Sequence, residues 1–255
     1  MKRILKIAAL IILLLVLGVG GLLAATFMGR RAVVDGENVG GISIVADGFS
    51  SVAIIPIDSR QVALVDAGND SSGQAIIGEL LRRQLDADAV STIFLTHGHP
   101  DHIGAIAMFP KAQVMALEAE VPLVEGRAGA QGPLTRLFPV NSTGVTVARA
   151  LRDGDVVTVG SVPIRVYAVP GHTAGSAAYL VRDVLFVGDS ADIASDNTLK
   201  GAPWIFSDSQ PENRASLVRL EQRLVADGVR VTAIVPAHSG AAQGMEPLSA
   251  FARAQ

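Results

Sequence analysis

Five histidines are the residues of this chain whose type and placement point most directly to chemistry. All of them lie in short turns flanked by glycine or proline, and each turn follows a segment of strand-like composition. They are His97, His99, His102, His172 and His238. A single histidine is more often a packed or solvated residue than a ligand, but several in such turns are typical of a metal site.

Three of these histidines and an aspartate fall within six residues. An extended backbone sends His97 and His99 to the same side, and Gly98 between them leaves room for a metal ion to approach. A proline then ends the extended stretch, so Asp101 and His102 begin a helix and can point back to the same cavity. A polar loop with a helix-capping aspartate would explain Asp101 but would leave the histidines without a task. The pattern therefore predicts a metal site.

This motif resembles the H-x-H-x-D-H signature of the metallo-β-lactamase fold superfamily. Four further segments resemble the family in the same order, so the resemblance extends from about Ile42 to the C-terminus. They are VDAG at 65–68, PGHTAGS at 170–176, FVGD at 186–189 and PAH at 236–238. The resemblance implies an α/β fold, an αββα sandwich in which helices flank two mixed β-sheets.

The resemblance also implies a dinuclear metal centre held by seven side chains. One ion is assigned to His97, His99 and His172, the other to Asp101, His102 and His238, and Asp189 bridges both. Asp101 is expected to act in catalysis as well. Asp66 would orient the metal-binding loop without being a ligand itself.

Two zinc ions are the expected cofactor, because imidazole nitrogen and carboxylate oxygen suit zinc; iron and manganese are the alternatives. The chain has no cysteine, which excludes disulfides, thiolate ligands and a cysteine nucleophile. Water bound to such ions loses a proton near neutral pH. The expected activity is therefore hydrolysis of a small-molecule ester, lactone, thioester or phosphodiester by a metal-bound hydroxide.

Other activities stay open. One alternative is a mononuclear iron dioxygenase that resembles the persulfide dioxygenases, with His172 and Asp189 binding iron. A β-lactamase is disfavoured because Asp189 stands where the drug-hydrolysing enzymes usually carry cysteine or serine. Lactonases commonly carry a tyrosine where Asp192 stands, and the C-terminal helical domain of glyoxalase II is not expected beyond His238. A non-catalytic metal-binding domain is disfavoured by the intact ligand set.

An uncharged stretch of 22 residues, Ile7 to Met28, predicts one N-terminal transmembrane helix. Three basic residues precede it and two follow it, so the positive-inside rule places the catalytic domain on the extracytoplasmic side of the membrane. A cleaved signal peptide is the alternative, although Leu23 would stand where cleavage after Ala25 needs a small side chain.

The elements that must position the site follow this anchor. We expect an anchor at 1–28, a tether at 29–41 and the catalytic domain at 42–255. Strands are predicted at 42–47, 51–57, 61–66, 90–95, 113–117, 156–159, 162–169, 177–181, 184–187 and 231–235, the first three antiparallel. Helices are predicted at 71–85, 101–109 and 211–225. Trp204 and Phe206 precede the last helix, where they could contact an apolar substrate or anchor their loop to the core.

After Met28 the chain carries 18 basic and 24 acidic residues. This acidic balance disfavours nucleic acid as a partner, because nucleic-acid binding usually requires a basic face. The expected partners are a small-molecule substrate and, through the N-terminal helix, a membrane.

Overall fold

Two β-sheets, built from successive halves of the chain, lie at the centre of the fold. The computed structural model describes residues 2–255, so Met1, the first residue of the predicted anchor, lies outside the described residues. The first sheet has seven strands in chain order: β1 (Glu37–Val39), β2 (Ile42–Asp47), β3 (Ser50–Pro56), β4 (Val62–Val65), β5 (Val90–Phe94), β6 (Gln113–Leu117) and β7 (Arg149–Leu151). Neighbours from β1 to β4 are antiparallel, as predicted for β2 to β4, and those from β4 to β7 are parallel.

The second half of the chain supplies the other sheet and a small ribbon. Its strands are β8 (Val156–Val159), β9 (Val162–Ala168), β10 (Ala177–Val181), β11 (Val184–Gly188), β12 (Ala191–Ile193), β13 (Leu199–Gly201), β14 (Ala233–Pro236) and β15 (Ala242–Gln243). Six of them form a sheet in the order β15-β14-β11-β10-β9-β8, while β12 and β13 pair with each other. The β11–β14 pair is parallel, so this sheet is also mixed.

The described residues form six α-helices. They are α1 (Lys2–Phe27), α2 (Gln74–Arg82), α3 (Pro100–Ile103), α4 (Val121–Val124), α5 (Gln210–Ala226) and α6 (Glu246–Arg253). Of these, α2 covers the outer face of the first sheet, and α5 and α6 cover that of the second. Short 3-10 turns occur at Ala87–Ala89, Ile106–Met108, Glu118–Glu120, Thr135–Leu137 and Trp204–Phe206.

Three buried apolar clusters define the layers. Residues such as Ile55 and Val166 pack between the two sheets. Leu80 of α2 packs against the outer face of the first sheet, and Leu220 of α5 packs against that of the second. Alternate side chains of each strand therefore face opposite layers, which is the pattern of sheets buried on both faces. The predicted αββα sandwich is confirmed.

Several elements differ from their predicted bounds. The helix predicted at 101–109 divides into α3 and a 3-10 turn, because the backbone leaves the helical conformation at Ala105. The helix predicted at 71–85 begins after Gly73, whose φ of 61° is incompatible with a regular helix. The segment 29–41, predicted as a tether, contains β1, whose three residues are too short for a periodic signal.

One described helix is long and apolar enough to cross a membrane. Its apolar window runs over Ala9–Phe27, with a mean hydropathy of 2.7, and none of that window is buried in the protein. The chain after it is bonded to the second half of the fold. Arg31 N donates to the carbonyl of Ile193, and Gly240 N donates to the carbonyl of Arg31. The end of α1 therefore has a defined place on the domain.

Helix α3 carries Asp101 and His102. It contacts the turn after β4 through Gly104, the residue that directly follows the helix. Gly104 N donates to the carbonyl of Gly68 at 2.8 Å. A Cβ on Gly104 would lie 2.6 Å from that same oxygen and 2.8 Å from the carbonyl oxygen of Asn69, both of which are backbone atoms that cannot rotate away. This contact sets how closely α3 approaches the turn.

We expect Gly104→Ala to lower the free energy of unfolding by about 1–3 kcal/mol, because the added methyl overpacks this contact. The matched control is Gly78→Ala in the interior of α2, where an added Cβ meets nothing closer than 4.0 Å. Alanine should stabilise that helix by up to about 1 kcal/mol. Chemical denaturation of both variants measures the difference, and equal effects would contradict the packing assigned to Gly104.

Candidate metal centre

The seven predicted ligands come together at one edge of the sandwich, between the two sheets. Each group follows a strand: His97 and His99 follow β5, His172 follows β9, Asp189 follows β11 and His238 follows β14. The remaining two, Asp101 and His102, lie in α3. Two sets of potential ligand atoms result, with all atoms of a set within 4.8 Å of one another.

The first set consists of three buried histidines. Nε2 of His97 lies 3.0 Å from Nδ1 of His99, and Nε2 of His172 lies 3.1 Å and 3.0 Å from these two atoms. Nitrogens bound tetrahedrally to one zinc ion would be about 3.3 Å apart, given the usual zinc–nitrogen distance. The triangle therefore has the size of a metal site.

The second set joins two carboxylates and two imidazoles. Asp101 Oδ2 lies 3.4 Å from His102 Nε2 and 3.2 Å from His238 Nε2. Asp189 Oδ1 lies 3.2 Å from His102 Nε2, and its Oδ2 lies 3.0 Å from His238 Nε2. The same Oδ2 is 3.5 Å from Nε2 of His172 in the first set. Asp189 thus stands between the two sets.

Hydrogen bonds at the opposite ring nitrogens orient four of the five imidazoles. Nδ1 of His102 donates to the Asp66 carboxylate at 2.8 Å, and Nδ1 of His238 donates to the carbonyl of Phe49 at 2.6 Å. The Ser207 hydroxyl donates to a carbonyl, so it accepts from Nδ1 of His172. The Thr96 hydroxyl donates to Asp66 and accepts from Nδ1 of His97 in the same way. Each Nε2 is thereby left to face the centre.

Two buried acceptors at the centre lack a hydrogen-bond partner among the described residues: Nε2 of His102 and Oδ1 of Asp189. They face each other, and two lone pairs at that distance require a cation between or beside them. In the metal-free chain a proton on His102 takes that place, and a bound metal ion would replace it. The donor set therefore fits a bound metal ion of the kind that prefers nitrogen and oxygen.

The electrostatics of the metal-free chain differ between the two sets. Burial lowers the pKa of His97 well below its usual value, that of His99 to about 4 and that of His172 to about 3. Burial also opposes the charge of His102 and His238, but the Asp189 carboxylate outweighs it, raising the pKa of His102 and bringing that of His238 to about 10. Without metal, protons therefore occupy the second set, and a divalent ion would displace them.

Asp66 has a carboxylate that contacts the segment from Thr96 to His102, which carries four of the candidate ligands. It is buried and accepts from the backbone N–H of Thr96 at 2.7 Å, from the Thr96 hydroxyl at 2.8 Å and from His102. Its φ of 62° places a non-glycine residue in the left-handed region, a strained conformation that these bonds hold in place. Asp66 thus has the contacts of an orienting residue rather than a ligand.

Glu120 is a buried residue of the site that the sequence pattern did not indicate. Its carboxylate accepts from the N–H of Gly98 and of Gly175, both at 2.8 Å, and from the Thr173 hydroxyl at 2.9 Å. Burial raises the pKa of Glu120 to about 7, against these hydrogen bonds. The carboxylate therefore ties the loop of His97 and His99 to the loop of His172.

Gly98 and Gly175 lie where another backbone segment approaches too closely for a side chain. A Cβ on Gly98 would lie 2.8 Å from the backbone nitrogen of Val124 in α4, and a Cβ on Gly175 would lie against the backbone nitrogen of Glu120 itself. The prediction that Gly98 makes room for a metal ion is therefore wrong. The space beside its Cα is occupied by α4, the helix that follows Glu120.

Comparison with known proteins agrees with this geometry. The family model described as metallo-beta-lactamase superfamily matches residues 46–225, which is more than half of the chain. The chain belongs to the metallo-β-lactamase superfamily. Within that superfamily it is 29% identical over 175 residues to a hydroxyacylglutathione hydrolase of Shewanella pealeana, covering 68% of this chain and 56% of the relative.

Two further members of the superfamily show the range of relatives. A probable metallo-hydrolase YflN of Bacillus subtilis is 29% identical over 215 residues, covering 70% of this chain and 79% of that protein. The metallo-β-lactamase MIM-1 from Novosphingobium pentaromativorans has a TM-score of 0.65 at 21% identity, covering 89% of this chain and 88% of that structure. The match spans only about half the length of the hydroxyacylglutathione hydrolase, so membership of the superfamily rests on the family model, and the solved structure supports the fold.

We expect Glu120→Gln to lower the free energy of unfolding by about 1–3 kcal/mol, because the amide places a donor against N–H groups that now have an acceptor. Zinc affinity should fall by about tenfold, since both ligand loops lose their common anchor. Thermal unfolding of the metal-free protein and zinc titration measure the two effects.

Glu118→Gln is the matched control two residues earlier. Glu118 is two-thirds exposed and pairs with the exposed Arg152, a contact that contributes little. If both variants unfolded alike and bound zinc alike, Glu120 would have no positioning role.

Proposed function

We propose that the protein is a dinuclear zinc hydrolase that acts on an ester, lactone or thioester. The observation that carries the proposal is the position of Asp189, whose Oδ2 lies 3.0 Å from His238 of one ligand set and 3.5 Å from His172 of the other. A mononuclear site would need only one set. His97, His99 and His172 would hold one ion, Asp101, His102 and His238 the other, and Asp189 would contact both.

The ions, when bound, would lower the pKa of a water molecule and polarise the oxygen of the scissile group. The side chains of this protein contribute orientation. Asp66, Ser207 and the carbonyl of Phe49 hold the imidazole rings so that the ligand atoms converge. Asp101 has a side chain that borders the open side of the site. Burial opposes ionisation of Asp101, but His102 lowers its pKa, so Asp101 stays a carboxylate that can accept a hydrogen bond from the water and orient it.

An acyl compound is favoured over a phosphodiester by the relatives. Several of them are named hydroxyacylglutathione hydrolases, and that name describes cleavage of an acyl bond in those proteins. The solved β-lactamase structures are under 25% identical, so they support the fold and carry no argument for β-lactam hydrolysis here. A panel of chromogenic esters, lactones and thioesters, with a phosphodiester and a cephalosporin added, tests this choice.

We further propose that α1 is an uncleaved anchor that crosses the membrane once, with the catalytic domain on the extracytoplasmic side. Its length and composition support this, and so does the heavier positive charge at its N-terminal end, before the apolar stretch.

This placement predicts that only detergent releases the protein from membranes, and that its N-terminus is intact. Fractionation followed by N-terminal sequencing measures both. A mature chain that began near Ala25 or Thr26 would instead identify a signal peptide.

We expect Asp189→Ala to reduce turnover by more than about 100-fold while the protein stays folded, because the carboxylate that would bind both ions is removed. Metal analysis of the unmodified protein should give two zinc ions per chain. One iron per chain would favour the dioxygenase alternative instead.

The matched control is Asp196→Ala, which removes an exposed carboxylate seven residues later. Turnover and zinc content should not change in that variant. If Asp189→Ala retained full turnover with both ions bound, the dinuclear assignment would be wrong.

A further inference from the structure

A large cleft leads from the metal centre to the end of α1. Its volume is about 1000 Å³, at the upper end of the range for small-molecule sites. Four metal-directed residues border it: His99, Asp101, Asp189 and His238. Phe27, the last residue of α1, borders it as well. One continuous cavity therefore joins the site of chemistry to the end of the candidate membrane span.

The walls of this cleft are mainly apolar. They include Phe27, Leu123, Leu134, Phe138, Val140 and Phe206. Apart from the metal-directed groups, Arg30 is the charged side chain among the described lining residues, and it is already paired with the buried Asp192 at 2.6 Å. An apolar wall with its one cation neutralised favours an alkyl chain over a charged or peptide-like group.

The cleft has a fixed position relative to α1. The rings of Phe27 and Phe206 lie 6.0 Å apart, and the Arg30 guanidinium lies 4.5 Å above the Phe27 ring. Backbone hydrogen bonds join Gly29 to Ser195 and Arg31 to Ile193, both at 2.8 Å. The cleft mouth thus lies within a few residues of the point where the span ends.

Exposed apolar side chains are part of this lining or adjacent to it in the chain. Met28 and Leu137 are each 71% exposed, Phe138 is 60% exposed and Trp204 is 52% exposed. Water-facing surfaces rarely carry such a group, whereas aromatic and apolar side chains are common at the boundary of a bilayer. With α1 as the proposed anchor, the bilayer is the surface that would cover this group.

We propose that the substrate is a membrane-resident amphiphile, a long-chain acyl ester or thioester whose alkyl chain enters this cleft from the bilayer. The inference rests on the proposed hydrolase function and names its substrate class. In the reaction the bond from the acyl carbon to oxygen or sulfur breaks, and that carbon gains the hydroxyl of water. The remaining proton goes to the leaving group, so the products are a fatty acid and an alcohol or thiol.

The test uses the full chain with zinc, reconstituted in phosphatidylcholine nanodiscs. The substrates are the p-nitrophenyl esters of acetate, octanoate and palmitate, of which the last resides in the bilayer. We expect kcat/KM to rise at least about tenfold from acetate to octanoate, because each methylene placed in the cleft leaves water. The palmitate ester should be hydrolysed within the nanodisc.

Val140→Asp places a carboxylate in the cleft at a position that is 53% exposed, so folding should tolerate it. It should lower the ratio of the octanoate to the acetate kcat/KM by about tenfold, since the alkyl chain would have to desolvate the charge. Val156→Asp is the matched control: Val156 is 52% exposed and lies in β8, outside the lining of the cleft. The ratio should not change there.

A second measurement does not depend on activity. Trp204 is the only tryptophan of the chain, and its neighbours Pro203 and Phe206 line the cleft. Dibromostearate should therefore quench the fluorescence of the metal-free protein in a saturable way. Val140→Asp should raise the half-saturating concentration about tenfold, and Val156→Asp should leave it unchanged.

The outcomes separate the two proposals. Hydrolysis of acetate and octanoate esters with equal kcat/KM would overturn the alkyl-chain substrate and leave the hydrolase standing. Hydrolysis of no ester, lactone or thioester, with both zinc ions bound, would overturn the proposed hydrolase and the substrate class with it, and the quenching experiment would then show only whether the cleft binds an alkyl chain. Quenching that does not saturate, or that is the same in both variants, overturns the binding of an alkyl chain in the cleft.

Discussion

The structure depends on holding several electron-pair donors together in a volume that excludes water. Imidazole nitrogens and carboxylate oxygens at about 3 Å from one another repel unless a cation lies among them, and burial removes the water that would weaken the repulsion. The fold meets this constraint by giving four of the five rings a hydrogen bond on the outer side. Those outer partners come from distant parts of the chain, such as Asp66, Ser207 and the carbonyl of Phe49. The site is therefore a product of both sheets.

Glu120 helps to hold the two sheets in a fixed position relative to each other. The loop that follows β5 belongs to the first sheet, and the loop that contains His172 belongs to the second. One buried carboxylate accepts hydrogen bonds from both. The glycines on either side let the backbones approach closely enough for these bonds. A small shift of one sheet against the other would break them, so this contact limits how far the ligand sets can separate.

The sequence predicted those features of the fold that depend on neighbouring residues. The strands at 42–47, 113–117, 156–159 and 177–181 have their predicted bounds, because alternation and β-branched composition mark them. The seven candidate ligands could be named because short local motifs carry the resemblance to the superfamily. Glu120 and Ser207 could not be found, because each acts through a contact with residues far away in sequence. The break near Ala105 was missed for the same reason, since the neighbouring turn imposes it.

The order of the strands also has a consequence for how the protein is made. The first sheet uses β1 to β7 in chain order, so it can pair while the ribosome is still adding the second half. The candidate ligands do not all lie in that first half. Four of them precede residue 103, whereas His172, Asp189 and His238 come later. A nascent chain would thus present an incomplete cluster until β14 joins β11. Tight metal uptake would therefore await a polypeptide whose synthesis has passed His238.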